Sequence, residues 1–155
     1  MEKRIHVGCY GAKGSYTYEA MERHFGKWER EEIYFPLFED VTKAVAGGMI
    51  DYGVVPIENS STGGITEVYD LIRGCGCAIV GEELVKIEHH LLGLPGAEME
   101  DIDTVYSHPQ GFAQCRPFFN EHRDWKLKPY FSTSQSAERV SKDGKKNQAA
   151  VASRT

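Results

Sequence analysis

The sequence predicts an α/β fold built from two lobes, each with a mostly parallel sheet. Short apolar runs of strand character alternate along the chain with segments in which apolar residues recur at helical spacing. The 155 residues suffice for one ordinary domain or two small lobes with a buried core. Glycines at positions 74, 76 and 81 favour a crossing between lobes, although tight turns alone would also explain them. We therefore expect lobe 1 at residues 1–76 and lobe 2 at residues 77–155.

The first lobe is predicted to alternate three strands with three helices. Its first strand shows the alternation of a half-buried strand, and the next two are short apolar runs. Each helix carries an apolar stripe, and the second ends at a pair of glycines. In chain order, we expect strands at residues 5–9, 33–36 and 54–57, and helices from about Ser15, from 37 to 45 and from about 62 to 73.

The second lobe is predicted from the same signals. Pro109 suits the start of a helix, because its missing N–H would have no partner inside the first turn. We expect strands at residues 77–80, 86–92, 104–106, 126–131 and 149–152, helices at 109–121 and 135–140, a turn at 94–97 and a solvated loop at 142–146.

Polar side chains cluster at four predicted strand-to-helix junctions. One Ser, Thr, Asp or Asn is enough to cap a helix, so the five polar residues at 58–62 exceed that need. Open α/β sheets bind ligands at this edge, and helix N-termini favour anions. We expect a cleft between the lobes that holds a small, oxygen-rich anion and is lined by the junctions at residues 14–17, 58–62, 107–110 and 132–134.

The composition argues against several classes of partner. A net charge of −5 and a pI near 5.7 disfavour nucleic acid, whose binders concentrate Lys and Arg on one face. No apolar stretch approaches the roughly 20 residues of a bilayer span, and the start lacks the apolar core of a signal peptide. We therefore expect a cytoplasmic protein with a small-molecule substrate and neither nucleic-acid nor membrane partners.

The spacing of cysteine and histidine does not suggest a metal site. Cys75 and Cys77 are too close for an ordinary disulfide and form no C-x-x-C pair. His89 and His90 are adjacent, which on a strand sends their side chains to opposite faces. We expect His89 to be a packed, hydrogen-bonded strand histidine. Reduced thiols are expected, with no metal and no cofactor.

Two segments of the chain carry specific motifs. Residues 56–63 read Pro-Ile-Glu-Asn-Ser-x-x-Gly, and residues 107–115 combine Ser-His-Pro-Gln with a later Gln-Cys. In order, these motifs resemble those of the prephenate dehydratase family over essentially the whole chain. The resemblance implies lobes of the type II periplasmic-binding-protein architecture with the ligand cleft between them. Shorter matches lie at residues 14–20, 87–91, 132–137 and 149–152.

The resemblance implies a lyase that converts prephenate to phenylpyruvate, with loss of carbon dioxide and water, on the route to phenylalanine. Such a reaction needs no metal, cofactor or covalent intermediate. It needs a dianion held in place, a proton for the leaving hydroxyl and dipoles matched to the changing charge. By the resemblance, the candidate substrate-binding residues are Ser15, Thr17, Glu58, Asn59, Ser60, Gln114, Ser132 and Thr133.

These candidates do not have equal roles. Asn59 is the candidate catalytic residue, because an amide beside Glu58 exceeds what a cap needs. A carboxylate repels a dianion, so we expect Glu58 to orient its neighbours. Helix capping is the alternative role for Ser15 and Thr133, and both roles can hold at once. For His108, a structural turn histidine is favoured over a general acid.

The chain ends before a further family motif. In the family, a Thr-Arg-Phe motif whose threonine is the expected general acid follows the second lobe, and an ACT domain commonly comes after it. Because the chain stops at Thr155, we expect lobe 2 to be incomplete and this chain alone to be weakly active or inactive. The full-length protein is expected to be a homo-oligomer. Two alternatives stay open: a non-catalytic small-anion-binding module and an arogenate dehydratase.

Overall fold

The computed structural model describes residues 4–60 and 63–153. The chain divides into two compact units, Met1–Lys86 and Ile87–Thr155. This division falls after the lobe boundary expected between residues 76 and 77. That the units are the two lobes of one dehydratase domain stays a prediction.

The first unit is organised around a parallel sheet. Its described elements are, in chain order, β1 (Ile5–Tyr10), α1 (Tyr16–Phe25), β2 (Arg30–Phe35), α2 (Phe38–Ala46), β3 (Tyr52–Val54), β4 (Glu58–Asn59), β5 (Gly63–Gly64) and α3 (Thr66–Gly74). Three parallel strands have the order β2-β1-β3, and β4 and β5 form a separate antiparallel pair. The alternating residues Val7 and Cys9 of the central strand are fully buried, and they pack with Met21 and Phe25 of α1.

Two paired glycines bring α2 close to this sheet. Gly8 of β1 lies opposite Gly53 of β3. A Cβ atom at Gly53 would lie 2.6 Å from Val41 Cγ1, and one at Gly8 would lie 2.4 Å from Ile50 Cδ1. Val41 and Ile50 belong to the buried cluster beneath α2. Glycine at both positions therefore leaves the space that the Val41 and Ile50 side chains occupy.

The second unit contains a mixed sheet. Its described elements are β6 (His90–Gly93), a short 3-10 helix (Met99–Asp101), β7 (Thr104–Ser107), α4 (Pro109–Gln114), α5 (Arg116–Glu121), β8 (Lys126–Pro129), α6 (Thr133–Asp143) and β9 (Gln148–Ala152). The strand order is β6-β9-β7-β8, with β6 antiparallel to β9 and the other neighbours parallel. β8 lies at one edge and exposes all four of its residues. The predicted α/β class with mostly parallel sheets is confirmed.

The core of the second unit lies on both faces of β9. All five residues of this strand are buried. Ala149 and Val151 pack into a cluster with Trp125, whereas Ala150 packs with Tyr106 in a second cluster. This alternation follows from the twofold repeat of side-chain direction along a strand. Because both faces are covered, the strand reads as a continuous run of small apolar residues.

The structure corrects the prediction between β3 and α3. β3 ends at Val54, before the predicted strand at 54–57 is complete, and α3 begins later than expected. Between β3 and α3, the strands β4 and β5 pair as an antiparallel hairpin in which Asn59 lies opposite Gly63. Gly63 has a φ of +76°, a backbone conformation that favours glycine. The expected helix start at Thr62 lies outside the described residues.

The strand predictions at the start of the second half are wrong in part. Residues 77–89 contain no strand, so the strand expected at 77–80 is absent and the one expected at 86–92 begins only at His90. Ile79 and Val80 are 57% and 74% exposed. Their apolar character suggested a strand, but a strand also needs a partner for its backbone, and none pairs with them in the part of the chain described.

The helix predictions in the second unit need smaller corrections. The helix expected at 109–121 breaks at Cys115 into α4 and α5. Pro117 explains the break, because it lacks the N–H that a continuous helix would require. α6 extends through Asp143, which was expected in a loop, and ends at Gly144 with a φ of +63°.

Candidate active site

Ser15 caps the first helix of the first unit. Its Oγ accepts a hydrogen bond from the Tyr18 backbone N–H at 3.2 Å. Gly14, with a φ of +83°, makes the turn that precedes it. Thr17 lies in the first turn of α1 and is half-buried. The N-terminus of α1 therefore presents two hydroxyl-bearing residues, one of which already has a structural role.

The Glu58, Asn59 and Ser60 segment lies in the hairpin rather than at a helix start. Glu58 and Ser60 are exposed, and Asn59 is partly buried. α3 instead begins after Ile65, which makes no side-chain capping bond. The expectation that this polar run sits where a strand meets a helix is therefore wrong. Ser61 and Thr62 lie outside the described residues.

The side chains of Ser107 and His108 both make hydrogen bonds that stabilise the fold. Ser107 is fully buried, and its hydroxyl donates to the Val151 backbone oxygen at 2.9 Å. His108 Nδ1 accepts from the Gln110 backbone N–H at 3.1 Å and so caps α4. An accepting Nδ1 leaves the neutral ring's proton on Nε2. These bonds support the structural reading of His108.

The Ser132 and Thr133 turn begins α6. Ser132 Oγ accepts from the Gln135 backbone N–H at 3.1 Å, so Ser132 is the cap. Thr133 is the first residue of the helix, and the capping role considered for it is wrong. The Ser136 hydroxyl donates to the Ser132 carbonyl oxygen at 2.6 Å and further fixes the turn. Ser136 is fully buried.

Gln114 closes α4 beside a histidine that precedes β6. His89 Nε2 lies 2.5 Å from Gln114 Oε1. Both residues border a cavity of about 400 Å³ whose lining also includes Leu91, Phe118 and Val151. The sequence indicated His89 only as a packed, hydrogen-bonded strand residue. The structure places it just before the strand and gives it a partner among the candidate binding residues.

The thiols of two cysteines are poorly suited to nucleophilic catalysis. Burial raises the pKa of Cys9 from 9.0 to about 12, with a smaller contribution from the charge of Glu32. Burial also raises the pKa of Cys115. Both thiols are therefore protonated at neutral pH, whereas a nucleophilic cysteine reacts as its thiolate.

The part of the chain that the structure describes contains neither a metal-ligand cluster nor a membrane-spanning helix. No group of three or more His, Cys, Asp or Glu side chains is placed to hold a metal ion among residues 4–60 and 63–153. In the same residues, no helix is both long enough and apolar enough to cross a membrane.

The structure shows which helix or hairpin of each unit carries the candidate residues. The first unit holds Ser15 and Thr17 at a helix start, and the Glu58 to Ser60 segment in a hairpin. The second unit holds Ser132 and Thr133 at one helix start, and Gln114 at the end of another helix. Their substrate-binding roles, and the cleft expected from the sequence, stay predictions.

Comparison with known sequences identifies relatives along nearly the whole chain. The family model described as prephenate dehydratase matches residues 7–155. The chain is 41% identical, over 151 residues, to the bifunctional chorismate mutase/prephenate dehydratase of Escherichia coli strain K12. That alignment covers 95% of this chain but only 39% of the relative, so the chain spans well under half of the length of this curated protein.

Solved structures show the same fold. A protein described as GqqA, a novel type of quorum-quenching acylase, has a TM-score of 0.81 at 30% identity, covering 96% of this chain and 54% of that one. The prephenate dehydratase of Arthrobacter aurescens, in complex with L-Phe, has a TM-score of 0.72 at 28% identity, covering 97% and 50%. The likeness confirms the expected type II periplasmic-binding-like fold. Since the family model takes in both motif segments, the chain belongs to the prephenate dehydratase family.

Proposed function

We propose that this chain is the dehydratase part of an enzyme that converts prephenate to phenylpyruvate in phenylalanine biosynthesis. The observation that carries the proposal is the match of the prephenate dehydratase family over residues 7–155. The name of the Escherichia coli relative supports it. A cytoplasmic location and a homo-oligomeric full-length protein belong to the same proposal.

The proposed reaction removes two groups from one ring. The bond between the ring and its carboxylate breaks, carbon dioxide leaves, and the electron pair enters the ring. The ring's carbon–oxygen bond breaks, and the hydroxyl leaves with one added proton as water. The product ring is aromatic, which provides the driving force. The protein has to hold the dianion, align the two leaving groups and supply the proton.

Hydroxyl and amide donors fit the first of these tasks. A carboxylate is an acceptor of hydrogen bonds, and the hydroxyls of Ser15, Thr17 and Thr133 can donate to it. We propose Asn59 as the residue that contacts the reacting part of the substrate, supported by its place in the family motif. Ser60, Gln114 and Ser132 complete the proposed donors, and Glu58 orients its neighbours. The proton is expected from the Thr-Arg-Phe motif, which is not among the residues of this chain.

Binding to the chain itself tests the proposal without requiring turnover. We expect titration calorimetry to show binding of prephenate and phenylpyruvate, and Asn59→Ala to weaken it by about 1–3 kcal/mol, the cost of an unpaired polar group. Asn120→Ala is the matched control, because Asn120 is an exposed residue of α5. Equal affinities for the two variants would remove Asn59 from the site. No binding of either ligand would contradict the proposed function.

The described acylase supports a second candidate function. Its fold is similar to that of this chain, at 30% identity. An acylase would cleave an amide and release a free amine, whereas a dehydratase would form phenylpyruvate. Parallel assays with an acylated amine, prephenate and arogenate therefore distinguish the activities. Amine release without phenylpyruvate would favour the acylase, and a preference for arogenate would identify an arogenate dehydratase.

A further inference from the structure

We propose that His89 is a positioning residue that turns the Gln114 side chain so that its amide NH₂ group faces the substrate's carboxylate. The inference rests on the proposed function. Its structural basis is the 2.5 Å contact between His89 Nε2 and Gln114 Oε1 beside the cavity of the second unit.

The hydrogen-bonding capacity of the two groups fixes the direction of the contact. Gln114 Oε1 can only accept a hydrogen bond, so His89 Nε2 has to carry a proton and donate it. The neutral ring with its proton on Nε2 and the doubly protonated ring both satisfy this requirement. In either form, the Nε2–H group of His89 attracts the Gln114 side-chain oxygen toward the ring.

That direction matters for an anionic ligand. A glutamine amide has an accepting end and a donating end, and rotation about its last torsion exchanges them. A carboxylate is attracted to the NH₂ group and repelled by the oxygen. Because His89 donates a hydrogen bond to the Gln114 oxygen, the NH₂ group of Gln114 points away from the His89 ring. Gln114 was identified from the family motif, whereas His89 is identified only by its contact with Gln114.

Holding the side chain also lowers the entropy that binding must remove. Glutamine has one of the larger side-chain entropies, and Gln114 is exposed at the end of α4. The backbone around it is fixed, because the following Cys115 N–H bonds to Gly111 O and Phe112 O at 3.2 Å. A hydrogen bond at the tip of the side chain therefore restricts the side-chain torsions, which the helix backbone does not fix.

The protonation of the His89 ring is the direct test. Nitrogen-15 NMR of the folded chain distinguishes a protonated Nε2 from an unprotonated one, and we expect His89 Nε2 to be protonated. An unprotonated Nε2 would mean that the ring accepts from the Gln114 NH₂ group, and would overturn the proposal. This measurement uses the unaltered chain, so it does not depend on whether a variant folds.

Binding of phenylpyruvate provides the second test. We expect His89→Leu to weaken it about three- to tenfold, the effect of one lost hydrogen bond. His89→Gln keeps a donor at a similar reach and should retain most of the affinity. His6→Leu is the control, because it removes a half-exposed imidazole of β1 that does not line the cavity. In a Gln114→Ala background, His89→Leu should have no further effect, and independent additive effects would overturn the proposal.

The outcomes separate this inference from the function on which it rests. If the unaltered chain binds neither prephenate nor phenylpyruvate, the proposed function and the positioning role both fail. If it binds them while His89 Nε2 is unprotonated, or while His89→Leu has no effect, only the positioning role fails.

Discussion

Replacing Ser15 by alanine and by aspartate separates its capping role from its proposed binding role. The Ser15 Oγ accepts the Tyr18 N–H at 3.2 Å, and alanine leaves that N–H without this partner. The expected cost is about 1 kcal/mol in the free energy of unfolding. Aspartate accepts the same N–H, and its charge favours a helix N-terminus by about 0.3–1 kcal/mol. The expected order of stability is therefore aspartate equal to or above serine, and alanine below both.

The same two variants should rank differently in ligand binding. Alanine removes one hydrogen bond to the ligand, worth about 0.5–1.5 kcal/mol. Aspartate adds a like charge near a carboxylate, and two such charges about 4 Å apart repel by about 1 kcal/mol in water and about 4 kcal/mol in a partly shielded site. We therefore expect affinity for phenylpyruvate to fall from serine to alanine, and further to aspartate.

Urea unfolding followed by circular dichroism measures the stability order, and titration calorimetry with phenylpyruvate measures the affinity order. Ser141→Ala and Ser141→Asp are matched controls, because Ser141 is an exposed residue within α6. If the aspartate variant of Ser15 binds phenylpyruvate as tightly as the unaltered chain, Ser15 is a cap without a binding role. If the alanine variant is as stable as the unaltered chain, the capping argument itself is wrong.

Three further predictions concern the packing of the units. Gly53→Ala should destabilise the chain by about 1–3 kcal/mol in urea unfolding through overpacking, whereas Gly74→Ala, with nothing within 4 Å of its new Cβ, should be neutral or stabilising. Ser107→Ala should cost about 1–3 kcal/mol, seen as a lower Tm, because it leaves a buried carbonyl without its donor. Cys9 should resist alkylation at pH 8 until the chain is unfolded, as mass spectrometry of its peptide would show. Since burial raises its pKa from 9.0 to about 12, the folded state keeps a proton that the unfolded state releases, and stability should fall as pH rises between those values.

Sequence patterns predicted correctly those elements whose formation depends on residues close together in the chain. β1 and β9 were found from alternation and from a small apolar run, and α1 begins at Ser15 as expected, whereas α6 begins at Thr133 and not at the expected position 135. The cap at Ser15 explains the success at α1, because its donor and acceptor lie within three residues of each other. At α6 the cap is Ser132, the residue before the expected Thr133.

Elements and contacts that depend on residues far apart in the chain were predicted less reliably. Ile79 and Val80 are apolar and were expected in a strand, but strand formation requires a neighbour that composition does not reveal. The hairpin at Asn59 and Gly63 was read as a helix start, since polar residues followed by helical spacing favour a cap. The contact of His89 with Gln114 joins residues 25 positions apart, and no spacing rule predicts it.

The edge strand β8 limits how copies of this chain can associate. It exposes Lys126, Leu127, Lys128 and Pro129 to solvent at the end of the second unit's sheet. A strand from a second copy placed alongside would bring lysines against lysines, and Pro129 has no N–H to offer to it. This edge therefore resists growth into a continuous intermolecular sheet. Replacing both lysines by valine should create an aggregation-prone edge.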